Sequence, residues 1–513
     1  MTFLTFAAID VGSNEISMKL YQMNKKIGIQ ELDYVRHAIA LGSDTYTNGK
    51  ISHKVIDQLC EVLSKFKLKM KEYDVREYSA CATSGLREAS NHILVIDQIK
   101  LRTGIKVKIL SNSEQRFLCY KAFSLREEAF EDIISKGTAI IDVGAGSIQI
   151  SIYNKSTLQF TQNITLGSLR IRELLSNLER QTTNYNHLIL EYIENDLATF
   201  YELLLKSCKI KTIIGFGDQV KDLLRLSKKL SLSKLNSSHC FRDFYMQLNK
   251  KTLEQLSRDL SLSKEQASLL LPTAMIYQRM MDKTKAESIY FSAINLCDGM
   301  VADFTLKKDC FMFHHCFEQD ILEASRFLAR RYQCNEAHIS NVEHIALKLF
   351  DTQKKLHGLE KRERLYLQIG AILHSCGAFI NMNEIPRNSY HIIMSSEIIG
   401  ISLIERELIA NLVCYTTKTF PPYSKIIDGI DKDTYLTLAK LSAILQLANS
   451  FDVSYKQKIK SITTQIKENT LFITVDTIED ISLEKEFMKD KADFFEEVYG
   501  IRPIVKQKRS ISP

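Results

Sequence analysis

The sequence predicts two α/β lobes built on one repeated pattern, followed by a helical region and a small α+β unit. The repeat is an apolar run that ends in Ile-Asp-Val-Gly, at residues 8–14 and again at residues 140–147. Each copy continues with alternating apolar residues, which is the pattern of two strands joined by a tight turn. Between and after the copies, strand and helix patterns alternate, and this alternation is typical of layered α/β domains.

Composition places the chain among ordinary globular proteins. It has 513 residues, of which 45% are hydrophobic and 25% charged, with a formal net charge of +7. No apolar stretch approaches the ~20 residues that span a bilayer, and the opening residues lack the basic region of a signal peptide. Eleven cysteines without a C-x-x-C pair favour a reducing, cytoplasmic environment over a disulfide framework.

The length predicts three or four domains, taking ~100–200 residues for each. From residue 310 to residue 447 the periodicity is helical, and alternation returns at residues 462–466 and 470–475. The predicted domains are lobe I at 1–125, lobe II at 126–305, a helical domain at 306–456 and a small α+β domain at 457–513.

Both copies of the repeat carry the chemistry of a phosphate site. A carboxylate ends the strand, and the small residues that follow expose backbone N–H groups to an anion. The same carboxylate is suited to the metal ion that accompanies a phosphate. The candidate phosphate-binding residues are Asp10, Gly12, Ser13, Asn14, Gly144, Ala145, Gly146 and Ser147. One copy in each lobe predicts a phosphate held between the lobes.

A further strand pattern at residues 107–110 leads into a helix that extends through Phe123. Ser113 is a candidate cap for this helix, which would place Glu114 and Gln115 in its first turn.

The order of these motifs resembles the family of exopolyphosphatases and guanosine pentaphosphate phosphohydrolases (Ppx/GppA). That family has the superfold of actin, hexokinase and Hsp70, so the resemblance implies duplicated actin-like (ribonuclease H-like) lobes, an HD-like helical domain and a small α+β domain. The motifs that carry the resemblance are residues 8–14, 82–89, 111–116, 141–149, 373–377, 447–452 and 491–495.

The resemblance implies a cytoplasmic hydrolase that releases orthophosphate from the end of inorganic polyphosphate. Mg²⁺ would be held in the interlobe cleft by Asp142, with Asp10 serving across the cleft. The alternatives are a guanosine pentaphosphate 5′-phosphohydrolase and a weakened regulatory protein that binds polyphosphate or guanosine penta- and tetraphosphate. Family members commonly form homodimers. No nucleic-acid-binding motif is found, and no membrane association is expected.

Three residues stand at positions where the family has a defined role. Arg87 matches the arginine that contacts phosphate, and a guanidinium fork suits a phosphoryl group. Gln115 stands where the family carries its catalytic base, a glutamate, and Gln149 stands where the second turn carries another glutamate. Glutamine orients a water but does not accept its proton, and a general base contributes ~10²–10⁴-fold.

These departures leave three interpretations open. Glu114 takes over as the base from one residue earlier, or Gln115 and Gln149 position the water, as a glutamine does in some GTPases. In the third interpretation the protein binds its phosphate ligand without hydrolysing it.

The helical domain shows a similar departure. An HD metal centre needs several histidine and aspartate ligands that converge. His344, His374 and Asp452 are the candidates, but Ser375 follows His374 where an aspartate is needed. We therefore expect a structural or polyphosphate-binding role for this domain rather than a metal centre.

Overall fold

The computed structural model describes residues 3–24, 26, 28–127, 129–179, 181–182, 184–217, 219–230, 237–308, 315–425 and 431–508. It divides into two units, Met1–Asp320 and Ile321–Pro513. Among the described helices, none combines the length and the apolar character that crossing a membrane requires. Each of the ten cysteines in these ranges is free.

The first lobe is one five-stranded sheet with helices. Its strands are β1 (Leu4–Val11), β2 (Glu15–Asn24), β3 (Gly28–Ala38), β4 (Glu77–Ala82) and β5 (Val107–Ile109). Its helices are α1 (Leu41–Asn48), α2 (His53–Glu72), α3 (Ser84–Arg87), α4 (His92–Thr103) and α5 (Asn112–Arg126). The strand order is β3-β2-β1-β4-β5, with β1 antiparallel to β2 and parallel to β4. The long apolar stripe of α2 packs on this sheet, as its helical spacing predicts.

The second lobe repeats this topology. Its strands are β6 (Thr138–Val143), β7 (Ile148–Asn154), β8 (Thr157–Ile164), β9 (Thr212–Phe216) and β10 (Ser288–Phe291). Its helices are α6 (Phe130–Ser135), α7 (Ser168–Leu175), α8 (Tyr185–Phe200), α9 (Val220–Lys229), α10 (Ser238–Asn249), α11 (Leu253–Leu260), α12 (Lys264–Ala267) and α13 (Leu270–Thr284), with a 3₁₀ turn at Ser176–Leu178 and a π-helical turn at Tyr201–Leu205. Read from the other edge, the strand order of this sheet is β8-β7-β6-β9-β10. The third, second, first, fourth and fifth strands of the lobe therefore follow one another as they do in the first sheet, which confirms the duplicated α/β lobes.

Helix α14 (Leu296–Lys307) follows the last strand of lobe II but packs on the sheet of lobe I. Its residues Leu296, Met300 and Val301 are buried with Phe6 and Met23. The predicted lobe boundaries follow the order of the chain and assign most of α14 to lobe II, residues 126–305. In the structure this helix packs on lobe I.

A buried carboxylate holds α14 in place. Asp298 accepts hydrogen bonds from Lys19 Nζ at 2.9 and 3.1 Å and from the Tyr21 hydroxyl at 3.0 Å. It also pairs with Arg126 of α5 at 3.2 Å and closes a capping box with Asn295 at the start of α14. Burial, followed by the charge of Asp298, raises the pKa of Tyr21 far above its ordinary value, so this phenol remains a donor.

The second unit contains the helices that the sequence predicts and a three-stranded sheet. The helices are α15 (Phe317–Arg331), α16 (Glu336–Thr352), α17 (Lys354–His357), α18 (Lys361–Leu373), α19 (Ile385–Ser395), α20 (Leu403–Cys414), α21 (Lys432–Ser450) and α22 (Ser482–Tyr499), with 3₁₀ turns at Cys376–Phe379 and Tyr423–Lys425. The strands are β11 (Ser461–Lys467), β12 (Thr470–Asp476) and β13 (Arg502–Lys508), in the order β11-β12-β13. Helix α22 packs on β13 and on α21.

Replacing Asp298 with alanine tests the buried pair. Asp298→Ala leaves Lys19 buried with only the half-exposed Glu31 as its partner, so we expect the free energy of unfolding to fall by about 3–5 kcal/mol. The chain has no tryptophan, so far-UV circular dichroism in urea is the appropriate measurement. Glu61→Ala removes an exposed ion pair with Lys65 and is expected to change stability little. Equal effects of the two variants would contradict the assignment.

Candidate functional site in the interlobe cleft

The two copies of the repeat form turns with the same hydrogen bond. The Gly12 N–H donates to the Glu15 carbonyl at 3.0 Å, and the Gly144 N–H donates to the Ser147 carbonyl, also at 3.0 Å. A Cβ atom on Gly12 would lie 2.8 Å from the Glu15 carbonyl oxygen, so this turn requires glycine. The repeated sequence therefore folds into a repeated backbone geometry.

Parallel strands bring further residues to the first turn. Val11, at the end of β1, pairs with Ala82, at the end of β4, and the Thr83 N–H donates to the Val11 carbonyl at 3.3 Å. Because the carboxyl ends of parallel strands meet at one sheet edge, Thr83 and Ser84 lie beside the turn, where α/β proteins bind ligands.

A narrow polar cavity of about 30 Å³ lies between the lobes. The residues that line it are Asp10, Gly12, Ser13, Thr83, Ser84, Gln115, Asp142, Gly144, Ala145, Gly146, Ser147 and Gln149. All of these except Thr83 and Ser84 are site residues predicted from the sequence. The structure therefore brings most of the candidates together, from both lobes.

Asp142 and Gln149 are direct cross-strand partners on β6 and β7, so their side chains share one face. The Arg116 Nε–H donates to Gln149 Oε1 at 3.2 Å. Arginine nitrogens only donate, and this fixes the orientation of the Gln149 amide. Its NH₂ group is the end that suits a phosphoryl oxygen, so Gln149 acts toward an anion as a donor.

Arg116 is fully buried on α5 beside Gln115. Its positive charge lies under a cavity that contains the carboxylates of Asp10 and Asp142. Sequence reasoning missed Arg116, although a signal was present, since it falls on the same helical stripe as the buried Tyr120.

The role of Glu114 as the catalytic base stays a prediction, and the structure gives its carboxylate other partners. Ser111, and not Ser113, caps α5: its hydroxyl accepts from the Glu114 N–H at 3.1 Å, and Glu114 Oε2 accepts from the Ser111 N–H at 2.9 Å. The other carboxylate oxygen of Glu114 accepts from Lys108 Nζ at 2.6 Å. Glu114 is not among the residues that line the cavity.

The phosphate roles predicted for Arg87 and Asn14 stay predictions, and the structure gives Arg87 other partners. Arg87 donates to the Leu110 carbonyl at 2.5 Å and to the side-chain oxygen of Asn112. These bonds attach Arg87 to the beginning of α5, so it positions the helix that carries Gln115. Neither Arg87 nor Asn14 is among the residues that line the cavity.

The donor set of the cleft fits a hard divalent cation. Asp10 and Asp142 both line the cavity, and Mg²⁺ is usually held by one or two carboxylates together with substrate oxygens. Within the described parts of the chain, no group of three histidine, cysteine or acidic side chains is arranged to hold a metal.

In the second unit a different histidine from the predicted one joins His374. His344 is exposed on α16, whereas His338 is buried, with its Nδ1 2.8 Å from Asp452 Oδ2 and its Nε2 3.1 Å from His374 Nε2. The His374 Nδ1 lies 2.8 Å from the Ala371 carbonyl oxygen, to which it must donate. The Asp452 carboxylate only accepts, so the His338 Nδ1–H donates to it.

Hydrogen bonds connect the side chains of His338, His374 and Asp452 with one another. Burial, followed by the charge of His338, lowers the pKa of His374 to about 4. Burial acts to raise the pKa of Asp452, but hydrogen bonds from His338 and Gln457 outweigh it and hold that pKa below its ordinary value. The Tyr455 ring stacks on His338 at 3.8 Å. The arrangement supports a structural role, while the HD-like assignment stays a prediction.

Duplicated actin-like lobes with matching glycine turns across a polar cleft define the fold class of this protein. Residues 22–308 match the Ppx/GppA phosphatase family, and residues 323–492 match domain III of Ppx/GppA phosphatases. The chain belongs to the Ppx/GppA phosphatase family.

Individual relatives are distant. Exopolyphosphatase 1 of Mycobacterium leprae is 19% identical over 58% of this chain and 88% of its own. The guanosine-5′-triphosphate,3′-diphosphate pyrophosphatase of Pseudoalteromonas translucida is 21% identical over 79% of each. The bifunctional 3-dehydroquinate synthase/phosphatase of Fusobacterium nucleatum is 24% identical over 33% of this chain, which spans about a quarter (26%) of that protein.

Solved structures show the same fold. A crystal structure of an exopolyphosphatase from Cytophaga hutchinsonii has a TM-score of 0.52 at 19% identity and covers 60% of this chain and 98% of its own. An exopolyphosphatase-like protein has a TM-score of 0.52 at 18% identity, with 60% and 99% covered.

The buried His374 predicts a loss of stability in mild acid. An unfolded histidine binds a proton below about pH 6.5, whereas folded His374 does so only near pH 4. Stability should therefore fall as the pH drops from 6.5 to 4, by up to about 3 kcal/mol. Urea unfolding of the second unit at pH 7 and pH 4.5 measures this. His374→Gln should reduce the dependence, and the exposed His391→Gln should keep it in full; an unchanged dependence in His374→Gln would refute the assignment.

Proposed function

We propose that the protein is a phosphoanhydride hydrolase of the exopolyphosphatase type. It would release orthophosphate from the end of inorganic polyphosphate in the cleft between the lobes. The observation that carries this proposal is the pair of matching turns, Gly12–Glu15 and Gly144–Ser147, on opposite sides of one narrow polar cavity.

The two turns supply donors from both lobes to one phosphoryl group. The backbone N–H groups of Ser13, Ala145 and Gly146 are the proposed donors, because they lie within the turns that line the cavity. The hydroxyls of Ser84 and Ser147 add to them. Such preorganised donors stabilise the charge that spreads over phosphoryl oxygens during transfer.

Asp142, with Asp10, would hold Mg²⁺. When bound, the metal ion neutralises part of the charge on the phosphoryl oxygens and so favours attack at phosphorus.

In the proposed reaction the oxygen of a water forms a bond to the terminal phosphorus while the bridging P–O bond breaks. The bridging oxygen leaves with the bond's electron pair on the shortened chain, and the water's proton passes to a phosphate oxygen of the substrate. Gln115 would orient this water through its side-chain carbonyl, and the Gln149 NH₂ would bind a phosphoryl oxygen. Without a general base, we expect turnover to be slow by ~10²–10⁴-fold.

The lining of the cavity favours polyphosphate as the substrate. It contains hydroxyls, amides, carboxylates and glycines, with Ala145 as its sole hydrophobic residue. A guanine base is usually held by stacking on aromatic or apolar surfaces, and the lining offers none. Guanosine pentaphosphate is the second candidate, since the relative named for a guanosine substrate matches 79% of this chain.

Orthophosphate release from long-chain polyphosphate with Mg²⁺ tests the proposed function. The purified protein should release orthophosphate slowly, and Asp142→Asn should lower the rate by about 10²–10³-fold, the size of losing one strong electrostatic contact. Asp57→Asn, on the exposed face of α2, serves as the control. No release by the unaltered protein would contradict hydrolysis, and faster release from guanosine pentaphosphate would favour the second candidate.

Replacing Gln115 or Gln149 with glutamate should raise turnover by unequal amounts. Gln115→Glu supplies a base in the cavity and should raise turnover, toward the ~10²–10⁴-fold that a general base contributes. Gln149→Glu places a carboxylate against the Arg116 guanidinium, which would pair with it and lower its basicity, so little gain is expected. Steady-state rates at pH 7 compare the two variants. A larger gain in turnover from Gln149→Glu than from Gln115→Glu would contradict the assigned roles.

A further inference from the structure

One side chain of lobe I reaches the glycine turns of both lobes. Tyr46, on α1, has its hydroxyl 3.0 Å from Ser13 Oγ and 3.0 Å from Ser84 Oγ. Those two serine hydroxyls are 3.1 Å apart, which completes a triangle. Both serines line the cavity, so the phenol of Tyr46 lies directly behind its lobe I wall.

The phenol of Tyr46 also packs against the second turn, at Gly146. A Cβ atom on Gly146 would lie only 2.1 Å from the Tyr46 hydroxyl oxygen, so the phenol is packed against this glycine. Any larger residue at position 146 would displace the ring. Tyr46 therefore fills the gap between the first turn and the second.

An arginine of lobe II fixes the ring in this position. The guanidinium of Arg170, on α7, lies 4.4 Å from the centre of the Tyr46 ring, a cation–π contact. Arg170 Nε also donates to the Gly146 carbonyl at 2.8 Å, and the guanidinium pairs with Glu88 of lobe I. The ring is thus held from both lobes.

The environment of the phenol suits a site for anions. Burial raises the pKa of Tyr46 above its ordinary value, so the phenol stays neutral near pH 7 and adds no negative charge beside the cavity.

We propose that Tyr46, which lies behind the Ser13 and Ser84 hydroxyls of the cavity lining, closes the cleft as its end wall and so restricts the site to a terminal phosphoryl group. A terminal phosphoryl carries one bridging oxygen and needs one exit for its chain, whereas an internal phosphoryl carries two and needs an exit on each side. Tyr46 closes the gap between the turns, so a chain bound there ends there. This inference rests on the proposed function, and it holds equally for polyphosphate and guanosine pentaphosphate.

A polyphosphate whose two ends are blocked as alkyl esters tests the end wall. The unaltered protein should shorten free-ended chains from the end and leave end-blocked chains intact. In Tyr46→Ala the chain passes through the gap, so one water should split an end-blocked chain into two shorter chains, visible as intermediate lengths on a gel. Tyr46→Phe keeps the ring and should keep the unaltered product pattern.

Tyr73→Ala is the matched control, because Tyr73 is also a half-buried lobe I tyrosine with a hydrogen-bonded hydroxyl. If Tyr46→Ala cleaves free-ended chains but leaves end-blocked chains intact, the proposal is overturned. Should Tyr46→Ala fail to fold by circular dichroism, Arg170→Ala, which releases the ring, should raise cleavage of end-blocked chains above that of the unaltered protein. No such rise would also overturn the proposal.

Binding measurements test the end wall independently of whether the protein hydrolyses polyphosphate. If the unaltered protein cleaves neither substrate, hydrolysis is disproved, and calorimetry with free-ended and end-blocked polyphosphate still tests the wall. The unaltered protein should bind the free-ended chain at least about tenfold more tightly, a usual size for excluding a group from a fitted pocket. Tyr46→Ala should lose this preference. Equal affinity of the unaltered protein for both chains would overturn the end wall.

Discussion

The hydrogen bond between a glycine N–H and the carbonyl three residues later is the constraint on which the site depends. It occurs at Gly12 and again at Gly144 with the same length, and in both places it closes a turn between two antiparallel strands. The carboxylates of Asp10 and Asp142 stand just before these turns. Because the two sheets share one strand order, the turns occupy equivalent edges, and the cavity takes its donors from both lobes.

The charged and polar side chains of the cleft suit phosphate and metal binding better than they suit proton transfer. Two carboxylates, Asp10 and Asp142, face a cavity under which the Arg116 guanidinium is fully buried. Gln115 and Gln149 add hydrogen-bonding capacity but no charge and no proton acceptor. The cleft is therefore better equipped to hold a phosphoryl group and its metal ion than to deprotonate a water, and this balance connects the family fold with the slow turnover that we propose.

The repeated turn was predictable because it depends on local rules, a strand end followed by glycine. The cap of α5 also follows a local rule, since Ser111 has Glu114 three residues later, and the prediction of Ser113 overlooked it. Contacts set by tertiary packing were not predictable: His338 rather than His344 faces the helical core. Tyr46 gave no sequence signal, because its role depends on a glycine of the other lobe. Local motifs therefore predicted most of the cavity lining, and long-range partners determined its orientation and its closure.

The central claim is that one phosphoryl group is held by both turns at once. A crystal structure of the protein soaked with orthophosphate and Mg²⁺ tests this most directly. We expect one phosphate in the cleft, with oxygens within hydrogen-bonding distance of backbone N–H groups in residues 12–14 and in residues 144–147. A phosphate bound to a single turn, or bound only on the protein surface, would contradict it.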